Sequence, residues 1–586
     1  MLKILKRLNL MEWLQAGISL LFIIAQVWLD LKLPDYMSKI TQLTQTPGSE
    51  MSEIWKAGGY MLLCALGSFA AAMTVGFFAA RIGASFSQRL RSQLFNKVDS
   101  FSMEEISRFS TASLITRSTN DITQVQLLIT MGLQMFIKAP ILAVWAVTKI
   151  AGKGFEWTVA TGVALFILIA VISVIFAFIM PKFKKMQVLT DNMNRITMEN
   201  LTGLRVVRAY NAENYQNDKF EAANEDLTAT QLYTSRGMAV FHPMMSMMMS
   251  GLGLAIYWIG AYLIDSANDM DKLDIFSNMV VFSSYTMQVI MAFMMVVMIF
   301  IMMPRAMVSA KRINEVLETE PVISDGNITS GKDGIEGEVV FNHVSFRYPG
   351  ASDYVLQDVS FSAKKGETVA FIGSTGSGKS TLINLVPRFF DATEGEVLID
   401  GVNVKNYTQE ALYNKIGYVP QKAVMFRGSV SSNVGYGDNG REAASASDIQ
   451  KAVRIAQGTE FIEKMDGKYE AEIAQGGTNV SGGQKQRLAI ARAVCRKPEI
   501  YIFDDSFSAL DYKTDRVLRS VLKKETSGVT SLIVAQRIGT IMDADQIIVL
   551  DEGRIVGKGT HEYLLNNCDV YLEIAMSQLS EEELAI

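Results

Sequence analysis

Cysteine and histidine are scarce in this chain of 586 residues, and their scarcity excludes several kinds of site. The three cysteines, Cys64, Cys495 and Cys568, are odd in number and far apart, which argues against a disulfide framework and against a zinc cluster. Basic residues do not outnumber acidic ones either, because the formal net charge is −5. Without a basic field, nucleic acid is not an expected partner.

Apolar side chains, by contrast, are abundant. They make up 49% of the chain, which is high for a soluble protein and predicts a membrane part. Because a helix needs about 20 apolar residues to cross the core of a bilayer, six stretches of about that length predict an α-helical bundle of six spans. These stretches lie at about 13–33, 57–80, 130–150, 157–180, 238–264 and 275–303.

The connections between these stretches differ in charge, and the difference predicts their orientation. Long basic segments follow the second and fourth stretches, at about 81–117 and 182–208, whereas the short connections are less basic. The positive-inside rule therefore places the long segments and both termini in the cytoplasm. Residues 2–12 predict a helix on the membrane surface. A signal peptide is the competing interpretation, but no small-x-small cleavage site follows Trp13–Leu29, which we expect to remain as the first span.

The long cytoplasmic segments are expected to be helices that extend the spans and turn at their tips. Two such tips are predicted, around 109–121 and 202–213. Because the segments are long, we expect them to pack against a partner. Hydrophobicity drops after Arg305. The predicted divisions are a transmembrane domain over 1–305, a linker over 306–336 and a cytoplasmic α/β domain over 337–586.

Methionine is concentrated in the last two apolar stretches. Four of the 33 methionines, Met287, Met291, Met294 and Met298, are spaced three or four residues apart. They predict either a lipid-facing or helix-packing surface, or a pliable apolar cavity for varied hydrophobic ligands. No acidic cluster stands out within the spans, and Lys138 is the one candidate charge near a span, which weakens an ion-coupled interpretation.

The stretch GSTGSGKST matches the phosphate-binding pattern G-x-x-x-x-G-K-[ST]. Its glycines let backbone N–H groups close around a polyphosphate, Lys379 can reach the β and γ phosphates, and the Ser380 hydroxyl can hold Mg²⁺. FSAKKGETVAFIG before it predicts strands and TLINLVPRFF after it predicts a helix, as a P-loop NTPase domain requires. The residues predicted to bind nucleotide here are Gly373, Ser374, Thr375, Gly376, Ser377, Gly378, Lys379, Ser380 and Thr381.

Four further motifs supply the rest of a nucleotide site. Tyr348, in FRYPG, precedes the phosphate loop by an interval that lets its ring stack on adenine. Gln421 ends a strand-like run and is placed to touch Mg²⁺ or the attacking water. IYIFDD is a buried apolar strand that ends in carboxylates, as a Mg²⁺-holding Asp504 requires. VSGGQKQR opens a helix whose first residues predict a second anion site, formed by Ser481, Gly482, Gly483 and Gln484.

Together with SALD at Ser508–Asp511, these motifs occur in the order and spacing of ATP-binding cassette domains. Six spans ahead of one such domain resemble a half-transporter of the ABC exporter family with the type I exporter fold, and the resemblance covers nearly the whole chain. It implies ATP and Mg²⁺ as cofactors and a second half-transporter as partner. Each ATP would lie between the phosphate loop of one subunit and the signature motif, Ser481–Gln484 here, of the other. The two tips resemble coupling helices.

Two departures from the family pattern fall on the catalytic step. Asp505 stands where the family has the Glu that acts on the attacking water, and its carboxylate is one methylene shorter. Gln536 replaces the switch histidine, so the side chain can hydrogen-bond a γ-phosphate oxygen but carries no positive charge. The signature segment departs only at Val480, whereas EIAQGG at Glu472–Gly477 departs from the usual loop that touches the coupling helices. The resemblance therefore implies a chain that binds ATP and cleaves it poorly.

This pattern resembles the degenerate-site subunit of heterodimeric bacterial ABC multidrug exporters. It implies a multi-pass plasma-membrane protein that exports hydrophobic or amphipathic compounds together with a non-identical partner, with catalytic positions at Gln421, Asp505 and Gln536. A lipid or peptide exporter of the same architecture, an ATP-gated regulatory subunit and a homodimer with two impaired sites are the alternatives. An importer is disfavoured, because importers usually keep spans and nucleotide domain on separate chains.

Overall fold

The computed structural model of the chain describes residues 2–46, 48–151 and 154–579, without the side chains of Leu2, Phe176, Lys184, His242, Asp269, Met270, Phe300 and Ile301. The described residues form two compact units. The first comprises 2–97 and 112–319, and the second comprises 98–111 and 320–579.

The first unit is helical, and the described residues contain six segments that are long and apolar enough to cross a membrane. The predicted six-span bundle is thus confirmed. Helices suit the core of a membrane because their backbone N–H and C=O groups form hydrogen bonds with one another where no water is available. The helices up to residue 318 are α1 (Leu2–Leu5), α2 (Leu10–Gln45), α3 (Met51–Asp99), α4 (Met103–Phe109), α5 (Thr111–Thr116), α6 (Ile122–Ile150), α7 (Phe155–Thr202), α8 (Leu204–Ala209), α9 (Glu213–Ala239), α10 (Phe241–Ser266) and α11 (Asp269–Glu318).

The N-terminal surface helix predicted over 2–12 is wrong in extent. Helix α1 ends at Leu5, and α2 begins only at Leu10. Glu12 helps to fix this start, because its carboxylate accepts the Asn9 N–H at 2.9 Å in a capping box. The same buried carboxylate pairs with Arg89 of α3 at 2.6 Å. The first turn of α2 is therefore fixed by its own cap and by the neighbouring helix.

The two tips differ in how well the sequence located them. The first turn lies ahead of the predicted 109–121, because Ser102 caps α4 and the returning helix starts at Thr111. Glu105 in α4 also accepts the Val322 N–H at 2.9 Å, and α4 belongs to the second unit. The second turn, with α8 at Leu204–Ala209, lies within the predicted 202–213.

Charges lie within the helical bundle where few were predicted. Lys138 Nζ is 3.4 Å from Asp30 Oδ2, and Lys149 Nζ is 2.8 Å from Asp35 Oδ2. These pairs join α2 to α6, and Tyr285 of α11 donates its hydroxyl to Asp35 Oδ1 at 2.6 Å. The prediction that Lys138 is the one candidate charge near a span is therefore wrong. The sequence does not reveal these pairs, because the two residues of each pair are more than 100 positions apart. We call Asp30, Asp35, Lys138 and Lys149 the charge ladder.

The second unit is an α/β domain, as predicted. Its strands are β1 (Val339–Phe346), β2 (Leu356–Ala363), β3 (Thr368–Gly373), β4 (Glu394–Ile399), β5 (Val402–Asn403), β6 (Ile416–Val419), β7 (Gly428–Ser429), β8 (Glu472–Ile473), β9 (Ile500–Asp504), β10 (Thr530–Val534), β11 (Gln546–Asp551) and β12 (Arg554–Gly559). Its further helices are α12 (Lys379–Asn384), α13 (Gln409–Lys415), α14 (Val430–Val434), α15 (Ala446–Ile455), α16 (Thr459–Glu463), α17 (Gly482–Cys495), α18 (Tyr512–Glu525), α19 (Ile538–Ile541), α20 (His561–Asn567) and α21 (Asp569–Met576).

The order of the strands determines where a site can form. The larger sheet runs β12-β11-β3-β10-β9-β6, and β3, β10, β9 and β6 are parallel neighbours. Every residue of β9 and β10 is buried, which agrees with the predicted apolar strand IYIFD. Because parallel strands end at one edge, the residues that follow these four strands meet there, where open α/β sheets bind ligands.

One helix boundary differs from the sequence-based expectation. The helix predicted over TLINLVPRFF ends at Asn384, because Pro387 has no N–H and disfavours helix before it. Arg388 then takes a φ of +56°, which completes the turn. Helix α11 continues to Glu318, and β1 begins at Val339. The domain limits proposed at 305 and 337 remain predictions.

Candidate nucleotide site

The phosphate loop leaves the carboxyl end of β3 and returns as α12. Gly373 has a φ of +153°, and a Cβ there would lie 2.0 Å from the Leu550 oxygen, so this position requires glycine. Gly378, with a φ of +95°, is the N-cap of α12. A Cβ on Gly378 would meet the Leu356 side chain at 2.8 Å. Between these glycines, Ser374, Thr375 and Gly376 form an exposed tip. The loop therefore has the tight, backbone-lined form that a polyphosphate requires.

Lys379 lies inside this loop. Its Nζ donates to the carbonyl oxygens of Gly373 at 2.9 Å and Ser374 at 2.7 Å, and to Ser377 Oγ at 3.3 Å. Burial lowers the pKa of Lys379, while the charges of Asp505 and Asp504 act in the opposite direction. The ammonium group is thus held at the centre of the loop, where it can meet a phosphate oxygen.

Ser380 and Asp504 form the candidate Mg²⁺ site. Ser380 Oγ donates to Asp504 Oδ1 at 2.8 Å, although the two residues are far apart in sequence. Burial raises the pKa of Asp504, which marks a carboxylate held away from water. A hydroxyl beside a carboxylate supplies the hard oxygen ligands that Mg²⁺ prefers, with phosphate oxygens completing the set. The donor set therefore fits the predicted role of both residues.

Asp505 follows directly and lies between two amide side chains. Gln536 Nε2 donates to Asp505 Oδ2 at 2.8 Å, and Gln421 Nε2 donates to the same oxygen at 3.4 Å. Asp505 has a φ of +47°, in the left-handed region that Asp tolerates better than most residues. The strand ends thus bring all three predicted catalytic positions together, from β6, β9 and β10.

Two effects on Asp505 oppose each other. Burial raises its pKa, which by itself favours taking up a proton, while hydrogen bonds from Gln421 and Ser508 lower it. Oδ2 of this carboxylate, in addition, already accepts two amide N–H groups. These two bonds compete with a water for Oδ2, because a general base must have a free lone pair within reach of the water.

Tyr348 lies near the phosphate loop. Its hydroxyl is 3.0 Å from Thr381 Oγ1, and its ring packs edge-on against Phe346 and Phe390. The side chain is 37% exposed and lines a cavity of about 580 Å³. An exposed aromatic face beside the loop is what base stacking needs. Sequence reasoning missed Phe390, although RFF at 388–390, shortly after α12, was a visible aromatic signal.

The signature segment lies at the start of α17 and does not follow a strand of the parallel edge. Ser481 is the N-cap, and its N–H donates to Gln484 Oε1 at 2.9 Å in a capping box. The predicted opening of a helix at VSGGQ is confirmed. Gly482 is open on its outer side, since a Cβ there would meet nothing within 4 Å. Ser481 and Gly482 are exposed, whereas Gly483 and Gln484 are half-buried.

Sequence reasoning also missed Gln578. Its side-chain amide donates to the Gln536 carbonyl oxygen at 2.8 Å and accepts the Ile538 N–H at 2.8 Å. No motif could have identified it, because the contact joins residues 42 positions apart and Gln578 lies beyond all recognised motifs.

Comparison with known proteins agrees with the motifs on both halves of the chain. Residues 16–293 match the family model of the ABC transporter transmembrane region, and residues 356–508 match that of the ABC transporter. An uncharacterized ABC transporter ATP-binding protein of Mycobacterium tuberculosis is 40% identical over 89% of this chain and 87% of its own length. One from Bacillus subtilis is 36% identical over 97% of both chains.

Other similarities concern function and fold. The ATP-dependent lipid A-core flippase of Pseudomonas aeruginosa is 31% identical over 88% of this chain and 83% of its own length. The solved structure of a bacterial Atm1-family ABC exporter with ATP bound superposes with a TM-score of 0.81. It covers 97% of this chain and 99% of its own, at 23% identity, and so shows the fold. The chain therefore belongs to the ABC transporter family, as a half-transporter that joins a six-span membrane domain to one nucleotide-binding domain and couples the hydrolysis of ATP, with Mg²⁺, to transport.

Proposed function

We propose that this chain is the degenerate-site subunit of a heterodimeric multidrug-type exporter. Its own site, with Lys379, Ser380 and Asp504, holds ATP and Mg²⁺ and hydrolyses ATP slowly. Its signature segment completes a second, fully active site on a non-identical partner. Both termini lie in the cytoplasm of a bacterial cell, since the long segments that join the spans carry the basic residues.

The observation that carries this proposal is the environment of Asp505. Its Oδ2 accepts hydrogen bonds from Gln421 and Gln536, and its side chain is one methylene shorter than glutamate. A glutamate could reach past the two amides, whereas Asp505 is held back by them. Gln536 can bond a phosphate oxygen, yet it cannot bring positive charge to the transition state. Both changes favour retention of ATP over its cleavage.

The signature segment supports the other half of the proposal. Ser481 and Gln484 form a complete capping box, and Gly482 is accessible. Backbone N–H groups at such a helix start bind anions well. The chain thus keeps the part that it would contribute to a partner, while the part that would act in its own site has changed.

The substrate we propose is hydrophobic or amphipathic. Met287, Met291 and Met298 are exposed on α11, and unbranched, polarisable methionine adapts to ligands of different shapes. Export of a lipid-like amphiphile is the second candidate, because the lipid A-core flippases are similar over most of their length. Transport of labelled lipid and of cationic dyes into vesicles separates the two.

Partner dependence of the ATPase tests the proposed asymmetry. The purified chain in lipid with Mg²⁺ should hydrolyse ATP slowly, and co-expression with the correct half-transporter should raise the rate strongly. In that complex, Gly482→Asp in this chain should abolish most activity, because it places a carboxylate where the partner's ATP must bind. Lys379→Ala should leave a larger share of the ATPase activity, because it affects only the slow site.

Two results would contradict the proposal. One is brisk hydrolysis by the chain alone. The other is an equal loss from Gly482→Asp and Lys379→Ala, which would mean that the two sites of the complex contribute alike. A Cβ at Gly482 meets nothing within 4 Å, so the aspartate is not expected to disturb folding.

A further inference from the structure

The turn after α21 contacts the loop that carries Gln536. Gln578 donates its Nε2 to the Gln536 carbonyl oxygen at 2.8 Å, and its Oε1 accepts the Ile538 N–H at 2.8 Å. One side chain thus spans three consecutive residues of that loop. The Ile538 N–H is the first of α19 and lacks a partner within its own helix, so Gln578 also caps this helix.

The backbone of Gln578 is itself fixed. Both its N–H and that of Leu579 donate to the Ala575 oxygen, at 3.0 and 2.8 Å. Ala575 and Tyr571 of α21 are fully buried in the main core of the domain. Tyr571 is held further by a 2.7 Å contact between its hydroxyl and His561 Nδ1. The Gln578 amide therefore projects from a rigid base, although its side chain is exposed.

Gln536 connects this base to the reacting end of the site. Its carbonyl oxygen is held by Gln578, while its own Nε2 donates to Asp505 Oδ2 at 2.8 Å. If the carbonyl were released, the 536–538 backbone could rotate and the amide would lose its fixed direction. The position of the Gln536 amide thus depends on both contacts.

We propose that Gln578 is a positioning residue that holds Gln536 toward bound ATP, so that the C-terminal turn controls how long this site retains nucleotide. The inference rests on the proposed function of the site, and it adds a residue that lies outside every motif of the nucleotide domain. Gln578 acts through Gln536 and does not touch the reacting atoms.

Release of the fluorescent analogue mant-ATP from the purified full-length chain, in lipid with Mg²⁺, measures this role. Gln578→Leu keeps most of the volume and removes both hydrogen bonds. Only the bond to the Gln536 carbonyl oxygen holds the amide directly, so release should speed up about three- to tenfold, the range for one ordinary hydrogen bond. Gln578→Glu should also speed release, because a carboxylate oxygen in place of the amide N–H cannot donate a hydrogen bond to the Gln536 carbonyl oxygen. Met576→Ala is the matched control at the end of α21, two residues before Gln578, with a side chain that is 61% exposed.

A double-mutant cycle with Gln536→Ala distinguishes positioning from a general structural role. Once the Gln536 side chain is gone, Gln578→Leu should add no further increase in release. Release at the wild-type rate in Gln578→Leu, or an undiminished increase in the double variant, would overturn the inference. Rapid hydrolysis by the wild-type chain would contradict the proposed slow site instead, and the cycle would remain a separate measurement of Gln578.

Discussion

Replacing Asp505 by glutamate together with Gln536 by histidine is expected to raise the ATPase rate of the purified chain by about 100-fold, the lower end of what a positioned general base contributes. The longer carboxylate extends one methylene further than Asp505, past the oxygen that now accepts the two amides. Histidine brings a positive charge when protonated, which the Gln536 amide cannot provide. The double variant therefore restores both the longer reach of the carboxylate and the positive charge.

The gain should be visible in steady-state phosphate release. Each single variant should give only part of it, because Gln536 and Asp505 are in direct contact at 2.8 Å and act as a unit. Lys379→Ala in the same background is the control, and it should remove the gain by weakening nucleotide binding. An unchanged rate in the double variant would show that Asp505 and Gln536 do not limit hydrolysis.

Glutamate at position 505 has a cost that must be measured separately. Asp505 has a φ of +47°, where a longer side chain is disfavoured by about 1 kcal/mol. This cost lowers stability and does not oppose the chemical step. The midpoint of thermal unfolding of each variant should accompany its rate, so that a less stable protein is not mistaken for a slower one.

Lys138→Met is expected to destabilise the membrane domain by about 3 kcal/mol, because it leaves the Asp30 carboxylate without its counter-charge among apolar helices. Asp30 and Lys138 expose only 25% and 19% of their side chains. Adding Asp30→Asn should recover most of the loss, since removing both charges of a buried pair is close to neutral. Thermal loss of the monodisperse protein in size-exclusion chromatography measures both effects.

The other rung of the charge ladder is a matched control. Asp35 and Lys149 expose 28% and 38% of their side chains, so Lys149→Met should cost less than Lys138→Met. Ser68 also donates to Asp30 and would remain to hold an asparagine there. If Asp30→Asn fails to rescue Lys138→Met, the loss comes from packing of the lysine stem and not from its charge.

The sequence predicted those parts of the molecule whose signals are local. The phosphate loop, the buried strand before Asp504 and the cap at Ser481 each depend on residues within a few positions of one another. Contacts between distant residues could not be predicted, since no pattern joins Gln578 to Gln536 or Asp30 to Lys138. The first tip was misplaced for a related reason, because the Ser102 cap and Glu105, which bonds the distant Val322, fix α4 upstream of the polar stretch that suggested it.

The charge ladder also has a consequence for how the protein is made. Asp30 precedes Lys138 by 108 residues, so at 5–20 residues per second Asp30 is synthesised roughly 5–20 s before its partner. During that interval two aspartates must wait without their lysines, either at the membrane surface or beside the insertion machinery. Nascent chains that end before the second span should therefore be extracted from membranes by alkali, and the same chains with Asp30→Asn and Asp35→Asn should resist. Equal resistance of both would show that the first span inserts without its partners.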